Sequence, residues 1–267
     1  MTDVEAESAP VAVDTEIQGG KKHVIWPVVS LARALIHPTT HFEDGAEEEL
    51  HEHRAVGGSL LLLMTHFRRW EPIVMAELAG AHEPLRHLRY TTGITARHEL
   101  FELPFPVGYI IRNSGARAVK RVIENQNETP AERAARQEAN QQTQAIGGRC
   151  LAAGYNWLIF PEGTSRQTVE RNGQQVREKR QLGVALPLRN GFVYSLESMT
   201  EEERQRVKLL AIAVHYGEER FSSLRPTVHI SRLVAPVSGT REEMRQQGED
   251  LLHRGVAQAV RLHDLRA

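Results

Sequence analysis

The chain has 267 residues and a formal net charge of -1, from 33 Lys and Arg against 34 Asp and Glu, so its total charge does not draw it to nucleic acid or to an anionic bilayer. Apolar residues at 40% and charged residues at 25% are the balance of a folded protein with a sizeable core. One cysteine, Cys150, excludes an intrachain disulfide and a multi-cysteine zinc site. Aromatics at 6% and the lack of a basic stripe argue against a nucleic-acid binder.

In chain order, residues 1–20 carry Asp3, Glu5, Glu7, Asp14 and Glu16 without a Lys or Arg, the composition of a disordered acidic tail. An N-terminal helical segment is expected over 21–56, ahead of a main domain over 57–267. Within it, the apolar stretch 24–36 either packs on the core or lies at a lipid surface. Gly57-Gly58 then punctuates the chain before Ser59–Met64, an apolar run that reads as a buried strand. Directly after it come Thr65, His66 and Glu71, and Pro72 is placed to open a helix through Leu78. Ala118, Val119, Val122 and Ile123 fall at helical spacing, and Thr129 with Glu132 forms a capping box for the next helix.

Cys150 falls in that helix, as a buried inert thiol. Asn156–Phe160 is a second short apolar strand, ending in Pro161-Glu162-Gly163-Thr164-Ser165. Residues 165–181, rich in Arg, Gln and Glu, read as loop. Thr200 with Glu203 caps a short helix, 209–214 and 227–234 read as strands, and Thr240 with Glu243 opens a final helix. Its Met244, Leu251, Leu252, Val256 and Val260 make an apolar stripe. Strands alternating with helices imply an α/β domain. No apolar run reaches the roughly 18–20 residues of a spanning helix, and the start lacks the pattern of a signal peptide.

Two polar motifs stand at the ends of apolar strands, where α/β sheets assemble their ligand crevices. A histidine can take a proton from a hydroxyl near neutral pH when a carboxylate fixes its tautomer and orientation, and Glu71 lies five residues from His66 across a turn. Alone, the pair also reads as a surface histidine beside a carboxylate that favours a helix start. Gly163, Thr164 and Ser165 follow the second strand, where exposed backbone N–H groups can hold an oxyanion. A serine hydrolase is excluded, since no Gly-x-Ser-x-Gly elbow is present.

Taken together, these motifs resemble the PlsC-like family of glycerolipid acyltransferases, which includes lysophosphatidate and glycerol-3-phosphate acyltransferases. The family's Asn-His-x4-Asp motif is matched by Thr65, His66 and Glu71, with Pro72 next. Its second motif is matched by Gly108-Tyr109-Ile110-Ile111-Arg112, and its Phe-Pro-Glu-Gly-Thr motif by Phe160–Ser165 with Arg166 next. Ala96–Leu100 and Leu210–His215 are similar to weaker family segments, so the likeness runs roughly from 57 to 235. Glu71 departs from aspartate, Thr65 departs from asparagine, and a proline usual near Ala211 is missing.

The resemblance implies a single α/β domain with a mixed central sheet flanked by helices. It implies an O-acyltransferase without a bound cofactor or metal, using acyl-CoA or acyl carrier protein thioester as cosubstrate. The acceptor would be a hydroxyl of lysophosphatidate or glycerol 3-phosphate, with His66 as general base and Glu71 as its orienter. Arg112 would grip the acceptor phosphate, with Gly163, Thr164, Ser165 and Arg166 completing the cradle and Glu162 joining it through hydrogen bonding rather than charge attraction. A non-phosphorylated acceptor such as a glycolipid, or a non-catalytic lipid-binding relative, are the alternatives. The expected location is cytoplasmic, with peripheral contact at the inner face of the membrane.

Overall fold

The computed structural model describes residues 36–67, 71–97, 102, 116–119, 129–162, 166–171, 174–179, 181, 183–217 and 224–266, together with 30 and 34. Its strands are β1 (Thr39–Phe42), β2 (Ser59–Met64), β3 (Thr92–Arg97), β4 (Ala116–Val119), β5 (Asn156–Ile159), β6 (Arg166–Arg171), β7 (Gln174–Lys179), β8 (Val207–His215) and β9 (Thr227–Ile230). The helices are α1 (Ala46–Ala55), α2 (Glu71–Ala81), α3 (Leu88–Thr91), α4 (Pro130–Ala152), α5 (Gly191–Glu197), α6 (Glu201–Gln205) and α7 (Arg241–Asp264).

Seven strands form one sheet in the order β1-β9-β8-β2-β5-β3-β4, and β6 and β7 form a separate antiparallel pair. Every neighbouring pair in the large sheet is parallel except β8 with β9, so the sheet is mixed. β2 is its centre, with all six residues buried. A strand covered on both faces needs apolar side chains on both, which explains the unbroken Leu60–Met64 run. Leu60, Leu62 and Met64 meet Leu50 of α1 and Val74 and Leu78 of α2 in one core cluster. Leu61 and Leu63 join Cys150 and Leu151 of α4, Phe192 and Leu196 of α5 and Leu252 of α7 in the other. The result is a single α/β domain with helices on both faces of a mixed sheet.

The capping boxes at Thr129, Thr200 and Thr240 all form, each threonine hydroxyl accepting from the backbone N–H three residues on. Cys150 is buried in α4. α2 starts at Glu71, one residue before the proline expected to open it. Segment 21–56 is not only helical: β1 pairs with β9 and so belongs to the sheet, and Ile36 is buried in the core. Residues 1–20 lie outside the described residues.

Three further expectations are corrected. The segment 165–181 is not loop, since Arg166–Arg171 and Gln174–Lys179 pair in register as a hairpin. The two residues between them are Asn172-Gly173, a strong sequence signal for a two-residue hairpin turn. Ala118 and Val119, read at helical spacing, belong instead to β4 beside β3. A four-residue strand takes its conformation from its partner, and pairing there overrides local periodicity. β9 also stops at Ile230, and the chain returns to the sheet at Val234 through a single bridge to Leu209.

Candidate active site

The parallel pairing of β2 with β5, Leu63 opposite Ile159, brings the C-terminal ends of these two strands side by side. The first polar motif leaves β2 and the second leaves β5, so their meeting follows from the sheet topology.

The first motif turns sharply while staying tied to β8. Thr65 is fully buried, donates its N–H to Ile212 O at 3.2 Å, and accepts the Val214 N–H on its hydroxyl at 2.9 Å. The side chain thus satisfies a backbone donor that the departing chain would leave orphaned. His66 follows, with its Nδ1 facing Glu71 Oε2 at 3.4 Å and no hydrogen bond from that nitrogen to another described group. The His66 side chain is 17% exposed and that of Glu71 0%. Glu71 opens α2, where a carboxylate meets the positive end of the helix dipole. The separation is longer than a well-formed hydrogen bond. Phe160, the residue after β5, packs against the ring, centroid to centroid at 5.0 Å and tilted by 41°.

Glu162 is 2% exposed, and its carboxylate is directed at the fold. Oε2 accepts the His66 N–H at 3.0 Å and Oε1 accepts the Leu186 N–H at 2.9 Å. Arg189 N–H bonds Pro161 O at 2.8 Å, and Leu188 N–H bonds Glu249 Oε2 at 3.2 Å. The strand-end motif therefore holds the backbone of His66 on one side and the segment 183–190 on the other, and α7 anchors that segment. Glu162 was expected among the acceptor ligands; in the structure one of its oxygens accepts the His66 N–H and the other the Leu186 N–H.

Of the remaining expected site residues, Arg112, Gly163, Thr164 and Ser165 lie outside the described residues. Arg166 begins β6, immediately beyond the motif. Leu186 and Val214 contribute through backbone N–H groups, for which the sequence carries no signal. His215 ends β8 beside β2 and packs its ring 4.9 Å from that of His263. Burial, then His263, lowers its pKa below the usual histidine value.

A cavity of about 520 Å³ lies elsewhere, between β1, β9 and α7. Two strands, β9 and β8, separate β1 from β2. Its lining carries Glu43 and Asp44 against Arg232 and Arg254. Its lining does not include His66.

A buried carboxylate facing one ring nitrogen of a partly exposed histidine leaves the other nitrogen to exchange protons with a bound hydroxyl. Among the described residues, no group of three or more His, Cys, Asp or Glu is arranged to hold a metal ion. No described helix is long and apolar enough to cross a membrane. No curated protein matches the chain. Residues 45–215 match the family described as Acyltransferase, a span running from α1 to the end of β8 and enclosing His66, Glu71 and Glu162. The chain belongs to the acyltransferase family.

Proposed function

We propose that the protein moves a fatty acyl group from an acyl-CoA or acyl carrier protein thioester to a hydroxyl of a glycerophosphate-type acceptor, lysophosphatidate or glycerol 3-phosphate. The observation that carries this reading is His66 Nδ1 facing the buried Glu71 carboxylate at 3.4 Å, at the end of the central strand of an acyltransferase-family domain. With Nδ1 turned to Glu71, Nε2 is the nitrogen that meets the acceptor. It takes the hydroxyl proton as the oxygen attacks the thioester carbonyl carbon. The C–S bond then breaks, and the proton passes to the leaving thiolate. Glu71 stabilises the imidazolium while the proton resides on it. General-base assistance of this kind is worth about a hundredfold to ten-thousandfold.

Arg112, Gly163, Thr164, Ser165 and Arg166 are the residues proposed to hold the acceptor phosphate, Arg112 through paired charge-assisted bonds. A non-phosphorylated acceptor is the alternative that replacing Arg112 decides. Because the acyl chain and the product both partition into lipid, we further propose that the protein works peripherally at a bilayer surface.

The deciding experiment supplies labelled long-chain acyl-CoA with lysophosphatidate, glycerol 3-phosphate or a glycolipid acceptor to wild type and to His66→Ala. Wild type should form labelled product with a phosphate-bearing acceptor, and His66→Ala should lose at least about a hundredfold in turnover. Equal turnover by the two proteins would remove His66 from the chemistry.

A further inference from the structure

We propose that Glu162 is a positioning residue for His66 and not a ligand of the acceptor; the inference rests on His66 acting as the base. Glu162 stands in the strand-end motif, and that position alone says nothing of where its carboxylate points. The structure turns it away from solvent, 2% exposed, with Oε2 on the His66 N–H at 3.0 Å and Oε1 on the Leu186 N–H at 2.9 Å. Both bonds run from backbone N–H groups to carboxylate oxygens at ordinary hydrogen-bond distance. Their donors are backbone groups that keep their places whatever side chains surround them.

The consequence is a link between the ends of two strands. His66 reaches its place from β2, and Glu162 reaches its place from β5, directly before Gly163, Thr164 and Ser165. A bond from the Glu162 side chain to the His66 backbone ties the base to the chain segment proposed to hold the acceptor phosphate. The second oxygen ties the same carboxylate to segment 183–190, which is held in turn by the Leu188 N–H bond to Glu249 of α7. Direct acyl transfer needs the base within hydrogen-bond reach of one hydroxyl, and a displacement of about 1 Å can cost roughly a hundredfold. A carboxylate in contact with the acceptor phosphate would repel it, whereas one directed at two N–H groups sets the spacing without that penalty.

Glu162→Gln tests this. Glutamine keeps the shape but presents one oxygen and one NH2 group, so one of the two backbone N–H groups must lose its acceptor. We expect kcat with long-chain acyl-CoA and lysophosphatidate to fall roughly 10- to 100-fold, with the acceptor KM unchanged within about twofold. The amides of His66 and Leu186 should exchange hydrogen at least about tenfold faster. Glu162→Asp keeps both acceptor oxygens on a shorter arm and should be intermediate in kcat and in exchange. It is also the variant to read if Glu162→Gln does not fold. An acceptor KM raised about tenfold with kcat retained would overturn the proposal, as would unchanged exchange at both amides. The exchange measurement needs no turnover. A wild type inactive on every acceptor, with both amides protected in a Glu162-dependent way, would therefore refute the acyl-transfer reading and leave the brace standing.

Discussion

Replacing Glu71 by glutamine removes one negative charge from beside His66 while keeping the side chain's shape and its place in the first turn of α2. At 3.4 Å, and with an effective dielectric of about 20, the attraction between an imidazolium and the Glu71 carboxylate is roughly 5 kcal/mol. That figure is a ceiling, since the histidine side chain is 17% exposed and water shares in its stabilisation. A loss of about 3–4 kcal/mol from the transition state corresponds to a kcat lower by roughly 100- to 1000-fold. Glu71 faces Nδ1 and not the acceptor, so the acceptor KM should stay within about twofold. Glu71→Asp sets a finer test. Withdrawing the carboxylate by one carbon–carbon bond, about 1.5 Å, weakens the same attraction to roughly 3.5 kcal/mol, which predicts a kcat about tenfold below wild type. The assay is release of free thiol from long-chain acyl-CoA with lysophosphatidate as acceptor. A Glu71→Gln kcat within about threefold of wild type would refute the electrostatic reasoning. An aspartate variant as fast as wild type would refute the distance reasoning.

Other perturbations have equally definite outcomes. Thr65→Val keeps the volume but leaves the Val214 N–H, now 2.9 Å from the threonine hydroxyl, without an acceptor in a fully buried position. The cost should be about 1–3 kcal/mol, read in a melting experiment as a Tm lower by roughly 3–8 °C; an unchanged Tm would mean that this bond contributes nothing. Arg112→Ala should raise the KM of a phosphate-bearing acceptor by at least about tenfold with little change in acyl-CoA use, and an unchanged KM would point to a non-phosphorylated acceptor. Burial lowers the pKa of His87 to about 4 and also lowers those of His229 and His215. The unfolded chain therefore binds more protons than the native one just below the ordinary histidine value, and stability should fall as pH drops below about 6.5. Urea midpoints at pH 7.5, 6 and 5 measure this decline, and His87→Gln should make it shallower; equal midpoints across that range would contradict the burial argument.

Which parts of this molecule could be read from the chain depends on whether a side chain or a partner decides the structure. The Leu60–Met64 run signals a strand covered on both faces, and the Thr-x-x-Glu pairs at 129, 200 and 240 signal helix starts, because in each case the residues themselves supply the apolar surface or the cap. β1 and β4 are four residues long and become strands through pairing with β9 and β3, a long-range event that local pattern does not encode. The β6–β7 hairpin is different: its Asn172-Gly173 signal was present, and the charged, non-periodic flanks obscured it. At the site, His66 and Glu71 were legible because their chemistry resides in their side chains. The direction of the Glu162 carboxylate was not, since its partners are the N–H groups of His66 and Leu186, and every residue except proline carries one.

Thr65 and Glu71, where the sequence departs from the motif it resembles, are both placed by contacts at the end of β2. Residue 65 is held to β8 twice, through the Thr65 N–H to Ile212 O and through the Thr65 hydroxyl on the Val214 N–H. Residue 66 is held from the other side, through its N–H on Glu162 after β5. Both neighbours of β2 thus fix the backbone from which the imidazole projects, and Glu71 lies in the first turn of α2. With both of these positions set by packing, the side chain at 71 is the remaining adjustable length between the helix start and Nδ1. A glutamate there ends 3.4 Å from the ring, at the outer edge of contact, so a shorter acid on the same backbone would fall beyond it. The longer side chain is what keeps a carboxylate against the histidine at a corner whose backbone is already fixed.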